Sequence, residues 1–337
     1  MMRGVWKVLR WPVALLVVVI LAVVLARVVN HYRYPEPDVT YAEPADPASY
    51  PAGLPGVTVT PIADGPVRGF HLRPDDIRHD GVVLTWGGSE GGPDFEHAEL
   101  LALEGHEVLS LFYFGQPGQP ATLDRVPVEN ASLAIDWAET HAESADPVTV
   151  VGTSKGAELA ALLPTYEPRV DNLVLFAPMD HVMQGMDQRD VVSSWTVDGQ
   201  DVPFVAYSDA AERGPVLRLA VSTLLGEPIH LRPVFEGAIA GHDRDDARID
   251  LAPLPGELLM FAGGDDQLWP ADDAARRMEQ ARPEGAEVHI YDDAGHVFYV
   301  PGDHSDGMRN GGSAEANAAA LEESNRVLVE RLAAWSR

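Results

Sequence analysis

The chain has 337 residues, of which 46% are hydrophobic and 23% are charged, so it can bury the core of one large domain or two ordinary ones. It contains no cysteine, which excludes disulfide bonds, thiolate metal sites and cysteine nucleophiles. The 52 acidic residues outnumber the 24 basic ones and give a formal net charge of −28, which disfavours nucleic acid as a partner because the phosphate backbone would be repelled.

The N-terminal region contains one long apolar stretch. Residues 11–26 read WPVALLVVVILAVVLA without a charge, and two further valines follow Arg27. This length is near the lower limit for a helix that crosses a hydrocarbon core of roughly 30 Å. We therefore predict a single transmembrane helix at about 11–29, within an N-terminal anchor at 1–33. A cleaved signal peptide is the alternative, although the run exceeds a usual signal core and no clean A-x-A site follows it.

Basic residues flank the apolar stretch on both sides. Arg3, Lys7 and Arg10 precede it, whereas Arg27 and Arg33 follow it. Because cytoplasmic flanks carry the excess of Lys and Arg, this distribution predicts a cytoplasmic N-terminus and an extracytoplasmic C-terminal region.

The next segment, 34–56, is rich in Pro, Ala and acidic residues and shows no apolar periodicity. This composition predicts an extended linker without a fold of its own.

The remaining residues, 57–337, alternate short β-branched runs with amphipathic stretches. The predicted strands lie at 82–86, 107–111, 148–152, 173–177, 257–263 and 287–292. The predicted helices lie near 94–104, 127–143, 154–163, 270–281 and 313–335. Strands that alternate with helices predict an α/β domain with a mainly parallel sheet and helices on both faces. Ligands of such sheets bind at the carboxyl ends of the strands.

One region, about 180–254, departs from this alternation. Its apolar segments VPFVAY and VLRLAVSTLL are set among acidic loops. We expect an insertion over the strand ends, and two interpretations stay open. The insertion is a lid or wall for a substrate pocket, or its apolar residues are additional core.

The most informative motif follows the strand at 148–152. Gly152-Thr153-Ser154-Lys155-Gly156 has the pattern G-x-S-x-G and leads directly into a helix-forming run. In this context the glycines allow a sharp strand-to-helix turn that lifts the serine above the sheet edge, and the helix N-terminus favours developing negative charge. The motif predicts Ser154 as a nucleophile, with a tight turn and an idle serine as the alternative.

A serine nucleophile needs an imidazole to accept its proton and a carboxylate to orient that imidazole. Both residue types follow the last two predicted strands: Asp265 and Asp266 after the first of them, and His296 after the second. The chain order Ser, Asp, His is that of an α/β-hydrolase. We predict Asp266 as the orienting acid, with Asp265 as the alternative, and His296 as the base, with His304 as the alternative.

The tetrahedral intermediate of acyl transfer needs two N–H donors for its oxyanion. The backbone of Lys155, next to the nucleophile, is one candidate. The glycine-rich loop after the strand at 82–86 supplies the other, through Gly88 or Ser89. This loop lacks the spacing and the lysine of a phosphate-binding loop.

His242 lies in the acidic segment GHDRDDARID, whose spacing matches no known metal motif. A solvated acidic loop is the preferred interpretation of this segment. The chemistry predicted for the serine requires no metal and no cofactor.

Seven segments of the chain resemble the catalytic domain of the acyl-CoA thioester hydrolases and of bile acid-CoA:amino acid N-acyltransferase: GGSEGG, EHAELLALEGHEVLSLFYFG, PVENASLAIDWAE, GTSKGAELAALLP, SSWTVDG, GGDDQLWP and AGH. The resemblance extends from about Val82 to His296. It implies an α/β-hydrolase fold in which Ser154 attacks acyl thioesters, His296 is the base and Asp266 orients it. Members that transfer acyl groups to amino acids typically carry cysteine at the nucleophile position, so the serine of this chain favours water as the acceptor.

The sequence therefore predicts a membrane-tethered serine hydrolase for a small-molecule acyl thioester. Coenzyme A esters should be scarce outside the cytoplasm, so a related ester or thioester is an alternative substrate. A carboxylesterase or dienelactone-hydrolase-like enzyme acting on oxygen esters is the second hypothesis. The third, from another class, is a catalytically inactive, membrane-tethered binding protein.

Overall fold

The structure is a computed structural model that describes residues 2–37, 43–187, 189–242 and 244–336, with side chains from residue 11 onward. Its helices are α1 (Met2–Arg33), α2 (Phe95–Leu103), α3 (Glu129–His141), α4 (Lys155–Tyr166), α5 (Gly214–Leu225), α6 (Arg232–Gly241), α7 (Ala271–Ala281) and α8 (Ala314–Trp335). Short 3₁₀ turns occur at Pro47–Ser49, Tyr207–Asp209 and Asp245–Ala247.

The strands are β1 (Val57–Asp64), β2 (Val67–Pro74), β3 (Val82–Trp86), β4 (Glu107–Phe112), β5 (Val126–Pro127), β6 (Val148–Thr153), β7 (Val170–Phe176), β8 (Trp195–Val197), β9 (Gln200–Asp201), β10 (Leu258–Gly263), β11 (Ala286–Tyr291), β12 (His304–Ser305) and β13 (Met308–Arg309). Eight of them form one sheet in the order β1-β2-β4-β3-β6-β7-β10-β11. The six strands from β4 to β11 in this order run parallel, whereas β1 and β2 pair antiparallel at one edge. The predicted parallel α/β sheet is confirmed.

Helices cover both faces of this sheet, as the apolar pattern of the strands requires. In β10, Leu258 and Met260 face the core under α3, α4 and α7, whereas Leu259 and Phe261 face the core under α2 and α8. Successive side chains of a strand point to opposite faces, so an apolar residue at every position gives one core on each side.

The region 180–254 lies between β7 and β10 and contains β8, β9, α5 and α6. Trp195, Val205 and Phe235 from this region are buried in the core that also contains α4 and α7. These residues extend the core, as the second interpretation expects, whereas the apolar side chains of α5 do not join it.

The predicted linker is partly ordered against the domain. Tyr50 is buried, its ring packs at a tilt against Phe70 and Phe95 with centroid distances of 5.4 and 5.2 Å, and its hydroxyl donates a hydrogen bond to the carbonyl of Pro44. Residues 38–42 of the linker lie outside the described residues. Composition alone did not indicate this contact, because it depends on a single aromatic anchor in a proline-rich segment.

Helix α1 contains the only segment in the described residues that is long and apolar enough to cross a membrane, Trp11–Arg33, with a mean hydropathy of 2.9. In the most apolar 18-residue stretch of this segment, no residue is buried in the protein. A membrane anchor and an N-terminal signal sequence both fit this observation.

Candidate active site

The turn between β6 and α4 places Ser154 at the carboxyl end of the central strand β6, in a strained backbone conformation. Ser154 has φ +56°, in the left-handed region that non-glycine residues rarely adopt. A Cβ at Gly152 would overlap the carbonyl oxygen of Gly156, and a Cβ at Gly156 would overlap that of Gly87. Both glycines of the G-x-S-x-G motif are therefore required for close backbone contacts, which force the serine onto the sharp turn.

Three loops bring Ser154, His296 and Asp266 into one hydrogen-bonded chain. The Oγ of Ser154 lies 2.8 Å from Nε2 of His296, and Nδ1 of the same imidazole lies 2.7 Å from Oδ2 of Asp266. These loops follow β6, β10 and β11, whose parallel carboxyl ends meet at one edge of the sheet. All three side chains are buried, with 1–6% of their residue surface exposed.

Neighbouring residues fix the side chains of Asp266 and His296. The second carboxylate oxygen of Asp266 accepts hydrogen bonds from the backbone N–H groups of Leu268 and Trp269 at 2.8 and 3.1 Å. The Trp269 ring lies edge-on to the His296 ring, at a centroid distance of 5.5 Å. The carboxylate therefore has partners for both oxygens, and the imidazole has one ring nitrogen directed at each neighbour. This arrangement can move a proton from the serine hydroxyl to Nε2.

Asp265 and His304, the alternative candidates for acid and base, have other partners. Asp265 accepts hydrogen bonds from the Gly312 backbone and from the Gln267 side chain. His304 lies between Asp303 and the carbonyl of Pro35. Neither residue has a hydrogen bond to Ser154 or His296 in the described part of the chain.

A cavity of about 410 Å³ opens over Ser154, large enough for a small ligand. Its walls come from the loop after β3, the segment 297–310, and Pro44 and Tyr50 of the predicted linker. No described residue of the region 180–254 lines it. The described part of this region therefore does not form a wall of this cavity, as the lid interpretation would require.

The loop after β3 reaches the cavity, but its predicted oxyanion donor is already engaged. The Gly88 N–H donates to Oε1 of Glu90 at 2.8 Å. A Cβ at Gly88 would lie 2.5 Å from the other Glu90 oxygen and 3.2 Å from the Cβ of Ser154. A Cβ at Gly87 would also crowd this carboxyl group, at 2.6 Å. The glycines of this loop therefore leave room for a carboxyl group beside the nucleophile.

The other two predicted oxyanion donors are the backbone N–H groups of Ser89 and Lys155. Ser89 lines the cavity. Lys155 is the first residue of α4, so helix geometry leaves its N–H without an intrahelical acceptor and available to an oxyanion. The Gly88 contact with Glu90 could not be predicted from the motif, because it depends on the direction of one side chain.

Sequence reasoning also missed Asp94, which borders the same cavity. Asp94 has φ +55°, and its carboxylate accepts a hydrogen bond from the hydroxyl of Thr153 and pairs with Nδ1 of His97, both at 2.7 Å. Asp94 thus holds Thr153, the residue that precedes Ser154. Its sequence signal is an acidic residue between the glycine-rich loop and the following helix.

The Lys155 side chain points away from the cavity into a buried polar network. Its Nζ donates to Glu158 at 2.6 Å and to the hydroxyl of Ser194 at 2.7 Å. The other Glu158 oxygen accepts from the backbone of Met183 and from the indole of Trp195. This network joins the nucleophile helix to the region 180–254.

His242 lies between the carboxylates of Asp209 and Asp246, at 2.8 and 3.2 Å. These carboxylates raise the pKa of His242, mainly through the hydrogen bond to Asp209. Among the described residues there is no group of three or more His, Asp or Glu side chains arranged to hold a metal ion.

The family model described as "BAAT / Acyl-CoA thioester hydrolase C terminal" matches residues 126–324 of this chain. Acyl-coenzyme A thioesterase 6 of Homo sapiens is 26% identical over 255 residues, which cover 73% of this chain and 56% of the human protein. Acyl-coenzyme A amino acid N-acyltransferase 1 of Mus musculus is 34% identical over 118 residues, which cover 34% of this chain and 28% of the mouse protein. The chain thus spans little more than half the length of the first of these relatives.

A crystal structure of an esterase/lipase from an uncultured bacterium has a TM-score of 0.51 and 15% sequence identity, and the match covers 94% of this chain and 97% of that one. The shared fold confirms the predicted α/β-hydrolase architecture.

Proposed function

Because the chain belongs to the BAAT / acyl-CoA thioester hydrolase C-terminal family, we propose that it is a serine hydrolase that cleaves acyl thioesters through an acyl-enzyme on Ser154. The observation that carries the proposal is the continuous chain of hydrogen bonds from the serine through His296 to Asp266, at the base of a cavity. Among the described residues, Asp266 is the carboxylate that forms a hydrogen bond with His296.

In the first half-reaction, Oγ of Ser154 attacks the thioester carbonyl carbon as its proton passes to Nε2 of His296. The tetrahedral oxyanion collapses, the carbon–sulfur bond breaks, and the thiol leaves with the proton from His296. In the second half-reaction, His296 takes a proton from water as the water oxygen attacks the carbonyl carbon of the acyl-enzyme. The tetrahedral intermediate collapses, the bond between the carbonyl carbon and Oγ breaks, and Oγ takes the proton back from His296 as the carboxylic acid leaves. Asp266 holds the imidazole in the tautomer that accepts at Nε2 and stabilises the imidazolium ion.

Release of a free thiol from a butyryl thioester tests this activity. The chain has no cysteine, so a thiol-reactive dye reports only the product. We expect turnover by the full chain and none above background for Ser154→Ala. Turnover that is equal in the two proteins, or absent from both, would contradict the proposal. Absence from both is the result expected of a catalytically inactive binding protein.

A second candidate, hydrolysis of esters with an uncharged leaving group, is favoured by the charge of the cavity. Glu90, Asp94, Glu96 and Asp306 line it, and no Lys or Arg of the described residues does so. The carboxylates of Asp94 and Asp306, together with the net charge of −28, would repel the phosphates of coenzyme A as the substrate approaches. Butyryl-coenzyme A, S-butyryl-N-acetylcysteamine and p-nitrophenyl butyrate carry one acyl chain on three leaving groups. Selective turnover of the last would support the oxygen-ester candidate.

We further propose that α1 is an uncleaved, single-pass membrane anchor and that the catalytic domain lies outside the cytoplasm. The length and hydropathy of Trp11–Arg33 support the anchor, and the three basic residues before it support the side. External protease added to intact cells should digest the catalytic domain. Digestion only after lysis would place the domain in the cytoplasm, where coenzyme A esters are available.

A further inference from the structure

Helix α5 exposes an apolar surface that a soluble domain would normally bury. Leu217 is 66% exposed and Leu224 is 54% exposed, and Val216 and Val221 are exposed as well. Leu217, Val221 and Leu224 follow the i, i+4, i+7 spacing that places side chains on one helix face. Of all residues in α5, only Ser222 is buried.

The C-terminal end of α5 is fixed to the C-terminal end of α1. Nη1 of Arg27 donates to the carbonyls of Thr223 and Leu224 at 3.1 and 3.2 Å. Nδ2 of Asn30 donates to the carbonyl of Leu225 at 3.0 Å. The left-handed Gly226 closes the last turn of α5 by donating to the carbonyls of Ser222 and Thr223. The side chains of α1 supply donors to the carbonyls of Leu224 and Leu225, which follow in the same turn. The C-terminal end of α5 therefore lies against α1, directly after the apolar run 11–26.

This contact determines the depth of α5 relative to a bilayer that α1 would span. Arg27 and Asn30 are the first polar residues after the uncharged run 11–26, so they lie at the boundary between the hydrocarbon and the headgroups. A helix of 12 residues is about 18 Å long, too short to cross the bilayer but suited to lie in its interface. Arg213 and Arg218 are exposed near the N-terminal half of α5, where their long side chains can reach lipid phosphates.

We infer that α5 is a second membrane contact, which lies in the interface beside α1 with Leu217, Val221 and Leu224 directed toward the acyl chains. The occupant of this apolar surface is the lipid bilayer. The inference rests on the proposed membrane anchor and goes beyond the proposed hydrolase activity.

The chain that follows α5 connects this contact to the catalytic cavity. The N–H of Ile229 donates to the carbonyl of Gly307, and the N–H of Arg309 donates to the carbonyl of Ile229, both at 2.9 Å. The segment 297–310 forms a wall of the cavity. Backbone hydrogen bonds thus link the proposed membrane contact to the wall of the catalytic cavity, and an acyl substrate dissolved in the bilayer would lie near it.

Single cysteines test this inference, because the native chain has none. Leu217→Cys and Leu224→Cys report on α5, whereas Leu103→Cys and Leu133→Cys are controls at leucines with 45% and 43% exposure elsewhere on the domain. Each full-chain variant is labelled with an environment-sensitive fluorophore and reconstituted into phosphatidylcholine vesicles. We expect doxyl-labelled lipid to quench both α5 labels and neither control, and aqueous iodide to quench only the controls.

A fifth label, at Leu21→Cys in α1, separates the two proposals. If lipid quenches the label at position 21 but not those of α5, the anchor stands and the α5 inference is wrong. If lipid quenches none of the three, the anchor and the inference both fail, while thiol release in the same vesicles still tests the hydrolase. Labels of α5 that are protected from iodide but not quenched by lipid would indicate a protein partner and would also overturn the inference.

Discussion

At the scale of single residues, Glu90 is the side chain whose position most affects the chemistry. Its carboxyl group accepts from the Gly88 N–H, one of the three predicted oxyanion donors. The protein around the cavity raises the pKa of Glu90 by desolvation, the nearby Asp94 raises it further, and the backbone hydrogen bonds and His296 oppose this shift. An ionised Glu90 would repel a developing oxyanion, whereas its protonated form could donate a hydrogen bond to it.

This geometry predicts that kcat/KM depends differently on pH in Glu90→Gln than in the native protein. As pH rises through the raised pKa of Glu90, its acid form is lost and kcat/KM of the native protein should fall, by roughly tenfold for each pH unit above that pKa. The glutamine amide stays neutral and keeps a donor, so this alkaline loss should be absent from the variant. Glu96→Gln removes a carboxyl group from the same cavity without touching Gly88 and serves as the control. Parallel pH profiles for the native protein and Glu90→Gln would contradict this role.

The two neighbouring aspartates make a matched pair for the orienting carboxylate. Asp266→Asn would place an amide against Nδ1 of His296 and favour the wrong tautomer, so we expect kcat to fall by roughly 10⁴-fold. Asp265→Asn changes only contacts to Gly312 and Gln267, so kcat should change little. Steady-state kinetics on one thioester measure both. A severe loss in Asp265→Asn with a mild loss in Asp266→Asn would exchange their roles.

At the scale of secondary-structure elements, a buried ion pair joins α4 to the region 180–254. Burial lowers the pKa of Lys155, and the carboxylate of Glu158 opposes that shift. Both side chains are at most 3% exposed, so removal of one partner leaves an uncompensated buried charge.

Lys155→Met should therefore lower the free energy of unfolding by about 3–5 kcal/mol. Lys155→Met combined with Glu158→Gln removes both charges and keeps an acceptor for Trp195, so it should recover at least half of that loss. Denaturant titration followed by tryptophan fluorescence measures both variants. Additive losses in the double variant would show that the pair is not coupled.

The predictability of the elements follows from their burial. Buried parallel strands are continuous apolar runs, and each of the six predicted strands lies within three residues of its observed bounds. The antiparallel pair β1 and β2 was not predicted. β1 lies at the sheet edge, carries Pro61 and has only three buried residues, so its apolar pattern is weak. Helix α5 was also not predicted, because its apolar segment VLRLAVSTLL lies in the region 180–254, where strands and helices do not alternate regularly.

The convergence of Ser154, Asp266 and His296 could be predicted because their loops follow parallel strands of one sheet. The cavity could not, because its walls depend on tertiary contacts of Tyr50 and the segment 297–310. The glycine-rich loop indicated where an oxyanion donor would lie. It did not indicate that the Glu90 carboxyl group would accept the hydrogen bond of that donor. Sequence patterns thus place residues on elements, whereas the direction of exposed side chains requires the folded chain.

At the scale of the whole molecule, the net charge of −28 opposes the approach of anionic substrates. Raising the ionic strength from 0.01 to 0.15 M shortens the Debye length from about 30 to about 8 Å and screens this repulsion. The kcat/KM for butyryl-coenzyme A should rise over this range, whereas that for the uncharged S-butyryl-N-acetylcysteamine should not change. Equal salt dependence of the two substrates would show that electrostatic repulsion does not limit coenzyme A esters.

The reaction of the full chain with a fluorophosphonate, followed by mass spectrometry of its peptides, tests most directly whether Ser154, His296 and Asp266 act as one unit. The native chain should carry a single adduct, on the peptide that contains Ser154. Ser154→Ala should carry none, and His296→Ala should react slower by several powers of ten, because no other described group accepts the serine proton. An adduct on another serine, or an undiminished rate in His296→Ala, would contradict the proposed mechanism.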